Sequence, residues 1–242
     1  LTFTPGATER AAATAQVVVA DLEAVALSDV DQHHLFTVRR LRDGETVIAT
    51  DGAGSWRRCV VSATTLLPDG PIRLEEPSEP RLTVGFAPVK GDRSEWAVAK
   101  LTELGCDRIV ALATQRAAVR WDDAAAHKAL ARWRRVALEA SCQARRVSLP
   151  VIEGPLSPAT LLGEGSAALA VPGAAPLAAS ITTIVVGPEG GWSEDELELD
   201  ATHVGLGGHV LRTETAAVAA GVLLGASRAG TVGHVETAEA PR

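Results

Sequence analysis

Two glycine-rich stretches hold the residues best suited to chemistry. The first, VVGPEGGWSEDE at residues 185–196, runs from an apolar, strand-like segment into a turn holding Glu189 and then into a helix start. The second, VGLGGHVLRTETA at residues 204–216, sets Arg212 and Glu214 between a glycine loop and a helix of small residues. A carboxylate inside a turn, or an arginine beside a carboxylate, can bind a ligand, accept a proton or stabilise a developing negative charge. For Arg212 and Glu214 a satisfied ion pair is the plainer alternative. Both loops follow apolar strands, and ligands of open α/β sheets sit at the carboxyl ends of strands, so the loops predict one pocket.

Phosphate is a poor match for that pocket. There is no G-x-x-x-x-G-K-[ST], and Val210 stands where GLGGHV would need the third glycine of G-x-G-x-x-G. Glu189, Glu194, Asp195 and Glu196 would repel an anion. A ligand with little negative charge, or with a positive centre, fits better. Part of the acid cluster has a local purpose, since Ser193 and Glu196 have the spacing of a capping box.

The elements that position these loops are legible from texture. Residues 17–76 alternate short β-prone runs with turns, QVVVAD, ETVIATDGAGSWRRCVVSATT and PIRLEE, and predict a small antiparallel β-unit. EEPSEP at residues 75–80 reads as a linker, which gives domains at 1–76 and 77–242. Beyond it the pattern is α/β with a mainly parallel sheet: RLTVGFAPV, DRIVALAT, AALAV and TTIVVG as strands, SEWAVAKLTELG as a helix, a long helix over 123–146, and a terminal helix over 215–228. On the long helix Glu139, Gln143 and Arg146 line up as a polar row opposite an apolar stripe at Trp133, Val136, Ala137 and Ala140.

The 242 residues carry a formal charge of -7, which argues against a general nucleic-acid binder. The charge is uneven: residues 1–80 carry -5, residues 81–160 carry +5 and residues 161–242 carry -7. A basic middle third can attract phosphates locally because salt screens each charge within about 10 Å. Cys59, Cys106 and Cys142 are far apart and the six histidines are scattered, so neither a disulfide nor a metal site is expected. No run is long and apolar enough for a membrane span and no secretory signal pattern is seen, so a cytoplasmic protein is expected.

Five segments in order, HHLFTVRRLRDGE, KGDRSEWAVAKLTELGCDRIV, EASCQARRVSLP, VVGPEGGWSEDE and LGGHVLRTETA, resemble the bacterial 16S ribosomal RNA (uracil-N3) methyltransferases of the SPOUT superfamily, the RsmE family. The resemblance implies an N-terminal PUA-like β-barrel that binds RNA and a C-terminal α/β domain with a deep trefoil knot. It implies a homodimer, acting on 16S rRNA near the decoding centre of the small ribosomal subunit. It also implies S-adenosylmethionine as cofactor, released as S-adenosylhomocysteine, with no metal. The cofactor pocket it implies is Val171 and Pro172, then Gly187, Pro188, Glu189, Gly190 and Gly191, then Leu206, Gly207, Val210 and Leu211. A cationic sulfonium is compatible with the neighbouring acids.

Methylation of uracil N3 requires loss of a proton and relief of negative charge on the ring. Arg212 is the expected anion stabiliser, with Glu189 or Glu214 as proton acceptor. RNA contacts are expected from Arg39, Arg40, Arg42, Arg57, Arg58, Arg132, Arg135, Gln143, Arg145 and Arg146. The chain departs from the family pattern at His209, Ala144 and Ala117. The competing readings are a SPOUT methyltransferase of another RNA site and a non-catalytic RNA-binding or ribosome-assembly protein.

Overall fold

A computed structural model describes residues 6–231. Contacts divide the chain into two units, Leu1–Ser78 with Arg135–Pro150, and Glu79–Arg134 with Val151–Arg242. Residues 135–150, counted from sequence with the C-terminal domain, group with the N-terminal unit. Hydrogen bonds at the end of a helix are the reason. The long helix Asp123–Ala144 ends just before Arg145, which turns to φ 61. Gln16 then donates its side-chain amide to the Ser141 and Arg146 carbonyls, at 3.4 and 2.6 Å. The Ser141 carbonyl also accepts the Arg146 backbone N–H at 2.9 Å, and Gln16 is itself buried. Arg146 lies past the helix end, so the expected polar row stops at Gln143.

The N-terminal unit comprises α1 (Ala7–Ala12), β1 (Ala15–Val18), α2 (Asp29–Gln32) continuing as a π-helical turn (His33–Val38), β2 (Thr46–Thr50), β3 (Ser55–Ser62), β4 (Thr65–Pro68) and β5 (Arg73–Leu74). Strands β2, β3 and β4 form an antiparallel meander, and β5 also pairs with β3. β1 runs parallel to β2, against the expectation of an all-antiparallel unit, because residues 19–45 make a long crossover in place of a hairpin. Among the described residues the ladder is open at β1 and β4, so the expected barrel is not closed by strand pairing. The crossover covers the face instead: Leu35, Phe36 and Leu41 pack on Val17, Val47, Ala49, Cys59 and Val61. Ile48 and Trp56, of opposite parity, pack on Ala13 and Val147, which is the period-two alternation of strands covered on both faces.

The second unit contains β6 (Thr83–Phe86), α3 (Arg93–Glu103), β7 (Arg108–Leu112), the first part of α4 (Asp123–Ala144), β8 (Val151–Leu156), α5 (Pro158–Leu162), β9 (Ala167–Ala170), β10 (Thr183–Val186), α6 (Glu194–Leu197), β11 (Thr202–Val204) and α7 (Thr213–Arg228). Its six strands lie in the order β11-β9-β10-β6-β7-β8, and every adjacent pair is parallel. Sequence did not single out β8, which carries Gly154 and Pro155. In the sheet, Gly154 sits at φ 116 directly against the Ala111 backbone, where the ladder shifts register. Phe86 on β6 stacks on Trp133 of α4 at 5.0 Å. Helix α7 packs on α3, and a Cβ at Gly221 would stand 2.7 Å from Leu101 Cδ2. Its small residues thus serve contact within the unit. No helix among the described residues is long and apolar enough to cross a membrane.

Gly85, central in β6, faces a similar limit: an added Cβ would lie 2.5 Å from Leu161 Cδ2 and 3.2 Å from Leu112 Cδ2. Gly85→Ala should therefore destabilise the protein by about 1–3 kcal/mol in urea titration. Burial pushes the Cys59 and Cys142 thiols up to about 11. At pH 8 iodoacetamide should alkylate these two on the order of 100-fold more slowly in the folded protein than in denaturant, read by peptide mass spectrometry.

Candidate active site

The carboxyl ends of β9, β10 and β11 meet at one cavity. Val171 and Pro172 from the first loop, Gly187, Pro188, Glu189 and Gly191 from the second, and Leu206, Gly207, Val210 and Leu211 from the third all line it. Gly190 does not; its Cα faces the Arg116 carbonyl, 3.1 Å from where a Cβ would stand. Trp192, His209, Thr213 and Ala216 line the cavity as well, and no reading of spacing had assigned them.

Three local devices hold these loops. Trp192 donates its indole N–H to the Ala170 carbonyl at 2.9 Å, tying the second loop to the end of β9. Its ring lies so close to Gly187 that a Cβ there would come within 2.8 Å, which explains the glycine. Thr213 donates its hydroxyl to the Gly187 carbonyl at 2.9 Å, joining the second loop to the start of α7. After the turn, Ser193 and Glu196 form the expected capping box.

The third loop is held differently. Among the described residues, no hydrogen bond engages a backbone N–H between Leu206 and Arg212. An accessible loop with free N–H and C=O groups, beside the apolar side chains of Val171, Leu206 and Leu211, suits a flat heteroaromatic ring with polar edges. The residues therefore fit the adenosine of S-adenosylmethionine. Among the described residues no group of three or more His, Cys, Asp or Glu could hold a metal ion.

The acids share a partner that sequence reasoning missed. Arg93, in the first turn of α3, donates from Nη1 to Glu189 Oε1 at 2.7 Å and to Glu214 Oε1 at 3.2 Å. The Glu189 hydrogen bond, then that of Glu214, raises the guanidinium pKa above its ordinary value. Its position in KGDR was visible, but its partners lie 96 and 121 residues away. Helix α7 starts at Thr213, two residues earlier than expected, so Glu214 lies within its first turn and is buried. Among the described residues, Glu214 Oε2 has no hydrogen-bond partner. Arg212 is the N-cap residue of α7 and is exposed, with no ion-pair partner among the described residues. Arg212 and Glu214 are thus not an ion pair with each other; Arg93 is the cation that Glu214 meets.

The arginines expected to touch RNA divide by environment. Arg57 donates to the Leu22 and Gly70 carbonyls at 2.8 and 2.7 Å. Arg145 donates to the Cys142 and Ala13 carbonyls at 2.6 and 2.9 Å, and burial followed by nearby Arg39 lowers its pKa. Both side chains are structural ties. Arg58 pairs with Asp69 at 2.7 Å, Arg132 with Glu95 at 2.8 Å and Arg135 with Glu139 at 3.0 Å. Arg39 holds the Thr14 carbonyl at 2.7 Å yet is exposed, as are Arg40, Arg42 and Gln143.

A family model for an RNA methyltransferase domain matches residues 76–225, and one for an RNA methyltransferase PUA domain matches residues 27–65. Ribosomal RNA small subunit methyltransferase E of Mycobacterium bovis is 38% identical over 228 residues, which covers 83% of this chain and 86% of the relative. The crystal structure of a probable rRNA-methyltransferase from Porphyromonas gingivalis matches with a TM-score of 0.74 and 25% identity, over 90% of this chain and 100% of the other. That of a ribosomal RNA small subunit methyltransferase E from Neisseria gonorrhoeae, bound to S-adenosyl methionine, matches with a TM-score of 0.67 and 25% identity, over 86% and 94%. With an RNA methyltransferase PUA domain ahead of an RNA methyltransferase domain built on a parallel sheet, the chain belongs to the RsmE family of 16S ribosomal RNA methyltransferases.

Proposed function

We propose that this protein transfers a methyl group from S-adenosylmethionine to N3 of one uridine in 16S rRNA, near the decoding centre of the small ribosomal subunit. The observation that carries the reading is the cavity between the three loops, with free backbone groups on one side and Glu189 on the other. When bound, the cofactor supplies an electrophilic methyl on a cationic sulfur. The carboxylates favour that charge, and Arg93 keeps two of them from repelling each other. Arg212 faces the negative charge that grows on the uracil oxygens as N3 is deprotonated, a role supported by its exposure and its lack of an ion-pair partner among the described residues. Glu189, which lines the cavity, is the proton acceptor in this reading; Glu214 holds Arg93 in place.

A trefoil knot is part of the proposal. It is supported by the chain path, since β11 lies outside β9 and α7 then returns to pack on β6 and β10. A homodimer is supported by exposed Trp96 on α3 and Val222 on α7, each 47% accessible on neighbouring helices. Arg39, Arg40, Arg42 and Gln143, exposed in the N-terminal unit, contribute RNA contacts. The protein acts in the cytoplasm, on the small subunit as its substrate.

The deciding experiment incubates the protein with labelled S-adenosylmethionine and small subunits from a strain lacking the modification, followed by nucleoside mass spectrometry. One 3-methyluridine in 16S rRNA is expected; a methyl on another RNA or atom would overturn the assignment of target. Arg212→Ala should lower kcat by about 100- to 1,000-fold with cofactor affinity unchanged by calorimetry. Arg93→Ala should weaken cofactor binding and kcat/KM together, because two carboxylates lose their shared cation, and Arg93→Lys should recover part of both.

A further inference from the structure

A second cavity, of about 620 Å³, opens at the carboxyl ends of the other strands of the same sheet, β6, β7 and β8. Pro88, Thr114, Gln115, Arg120, Trp121 and Pro155 line it, and it shares no lining residue with the cavity at β9–β11. Its wall, residues 113–121, is bolted to the segment that carries the first site. The Gln115 backbone N–H donates to Glu196 Oε1 at 2.9 Å and its side-chain amide to Asp195 Oδ2 at 3.1 Å. Arg116 donates to the Trp192 carbonyl at 2.9 Å. The wall of the second cavity is therefore hydrogen-bonded to the segment that carries the first, and both open at the edge of the sheet where ligands of parallel sheets are bound.

The lining has the chemistry of an unpaired nucleotide site. Trp121 is half-buried and meets Trp133 nearly at right angles, 74° at 5.7 Å, so the contact fixes the indole without stacking on it. Arg120 is exposed and held near the rim by a 2.8 Å hydrogen bond from Nη2 to the Gln115 carbonyl, with its other donors open. Thr114 is 7% exposed and its hydroxyl has no partner among the described residues, a buried polar group of the kind a base edge satisfies. Of the acids bonded to the wall, Glu196 is engaged in the capping box and Asp195 with Gln115. Next to Trp121, Asp122 accepts the Ala125 backbone N–H and Asp123 is exposed in the first turn of α4. An aromatic face, a cation and unmet hydrogen-bonding capacity are what single-stranded RNA recognition uses.

We infer that this cavity binds an unpaired base of the RNA that flanks the uridine taken into the first cavity, with the base stacked on Trp121 and its phosphate on Arg120. The inference rests on the proposed RNA substrate. It assigns the 113–121 segment the job of holding the strand so that one uridine reaches the cofactor.

The test has two readouts. In the first, full-length protein is irradiated with a short oligoribonucleotide of the target sequence carrying 5-bromouridine beside the target, and adducts are mapped by peptide mass spectrometry. An adduct on Trp121 is expected; adducts confined to other residues overturn the site. In the second, Trp121→Ala should raise KM for small subunits by about 5- to 100-fold with kcat and cofactor affinity unchanged, and Trp121→Phe should recover most of the loss. Arg120→Ala should reduce the salt dependence of RNA binding by about one charge. Unchanged KM in Trp121→Ala overturns the inference, as does a loss of cofactor binding, which would make Trp121 a wall of the first cavity. A wild-type protein that methylates no RNA instead overturns the reading of substrate, and the cross-link is scored independently of methylation.

Discussion

Parallel pairing of all six strands in the second unit is the constraint on which the site depends. It sends every carboxyl end to one edge, so loops from residues far apart in sequence emerge side by side. Val171, Gly187 and Leu206 close on one cavity for that reason. The pairing alone leaves the loops free to move. Trp192 to Ala170 and Thr213 to Gly187 remove that freedom with two hydrogen bonds, one to each side of the central loop. Net hydrogen bonds are modest, about 1 kcal/mol each, but the cost of leaving a buried indole N–H unpaired makes the Trp192 bond hard to break.

The same edge gathers acids, and their mutual repulsion has to be met. Glu189 and Glu214 approach one guanidinium, Arg93, at 2.7 and 3.2 Å. Glu189 is partly in solvent, where such pairs contribute little. Glu214 is buried, and a carboxylate there without a cation would cost much more. Arg93 thus acts less as a source of stability than as the condition under which a negative wall can exist beside a ligand site.

In the N-terminal unit arginine serves two ends. Arg57 and Arg145 use their planar donors to satisfy carbonyls that neither the strands nor the helix terminus can reach, a role lysine fills poorly. Arg40 and Arg42 stay exposed in the crossover between β1 and β2. Charge counting treats these residues alike, and only the exposed ones can attract a phosphate at a distance.

Sequence by itself determined what is set locally. The glycine turns after β10 and β11, the capping box at Ser193, the apolar runs of β6, β7, β9 and β10, and the misfit with phosphate all follow from neighbours within a few residues. Tertiary structure decided what depends on distance along the chain. The pairing of Arg93 with two remote carboxylates, the direction of β1 beside β2, the place of β8 despite Gly154 and Pro155, and the return of residues 135–150 to the N-terminal unit each join segments whose local patterns do not refer to one another. Hydrogen-bond satisfaction and burial select among such partners only once the chain has folded, and so they assigned Arg145 to a helix end and Arg93 to two remote carboxylates.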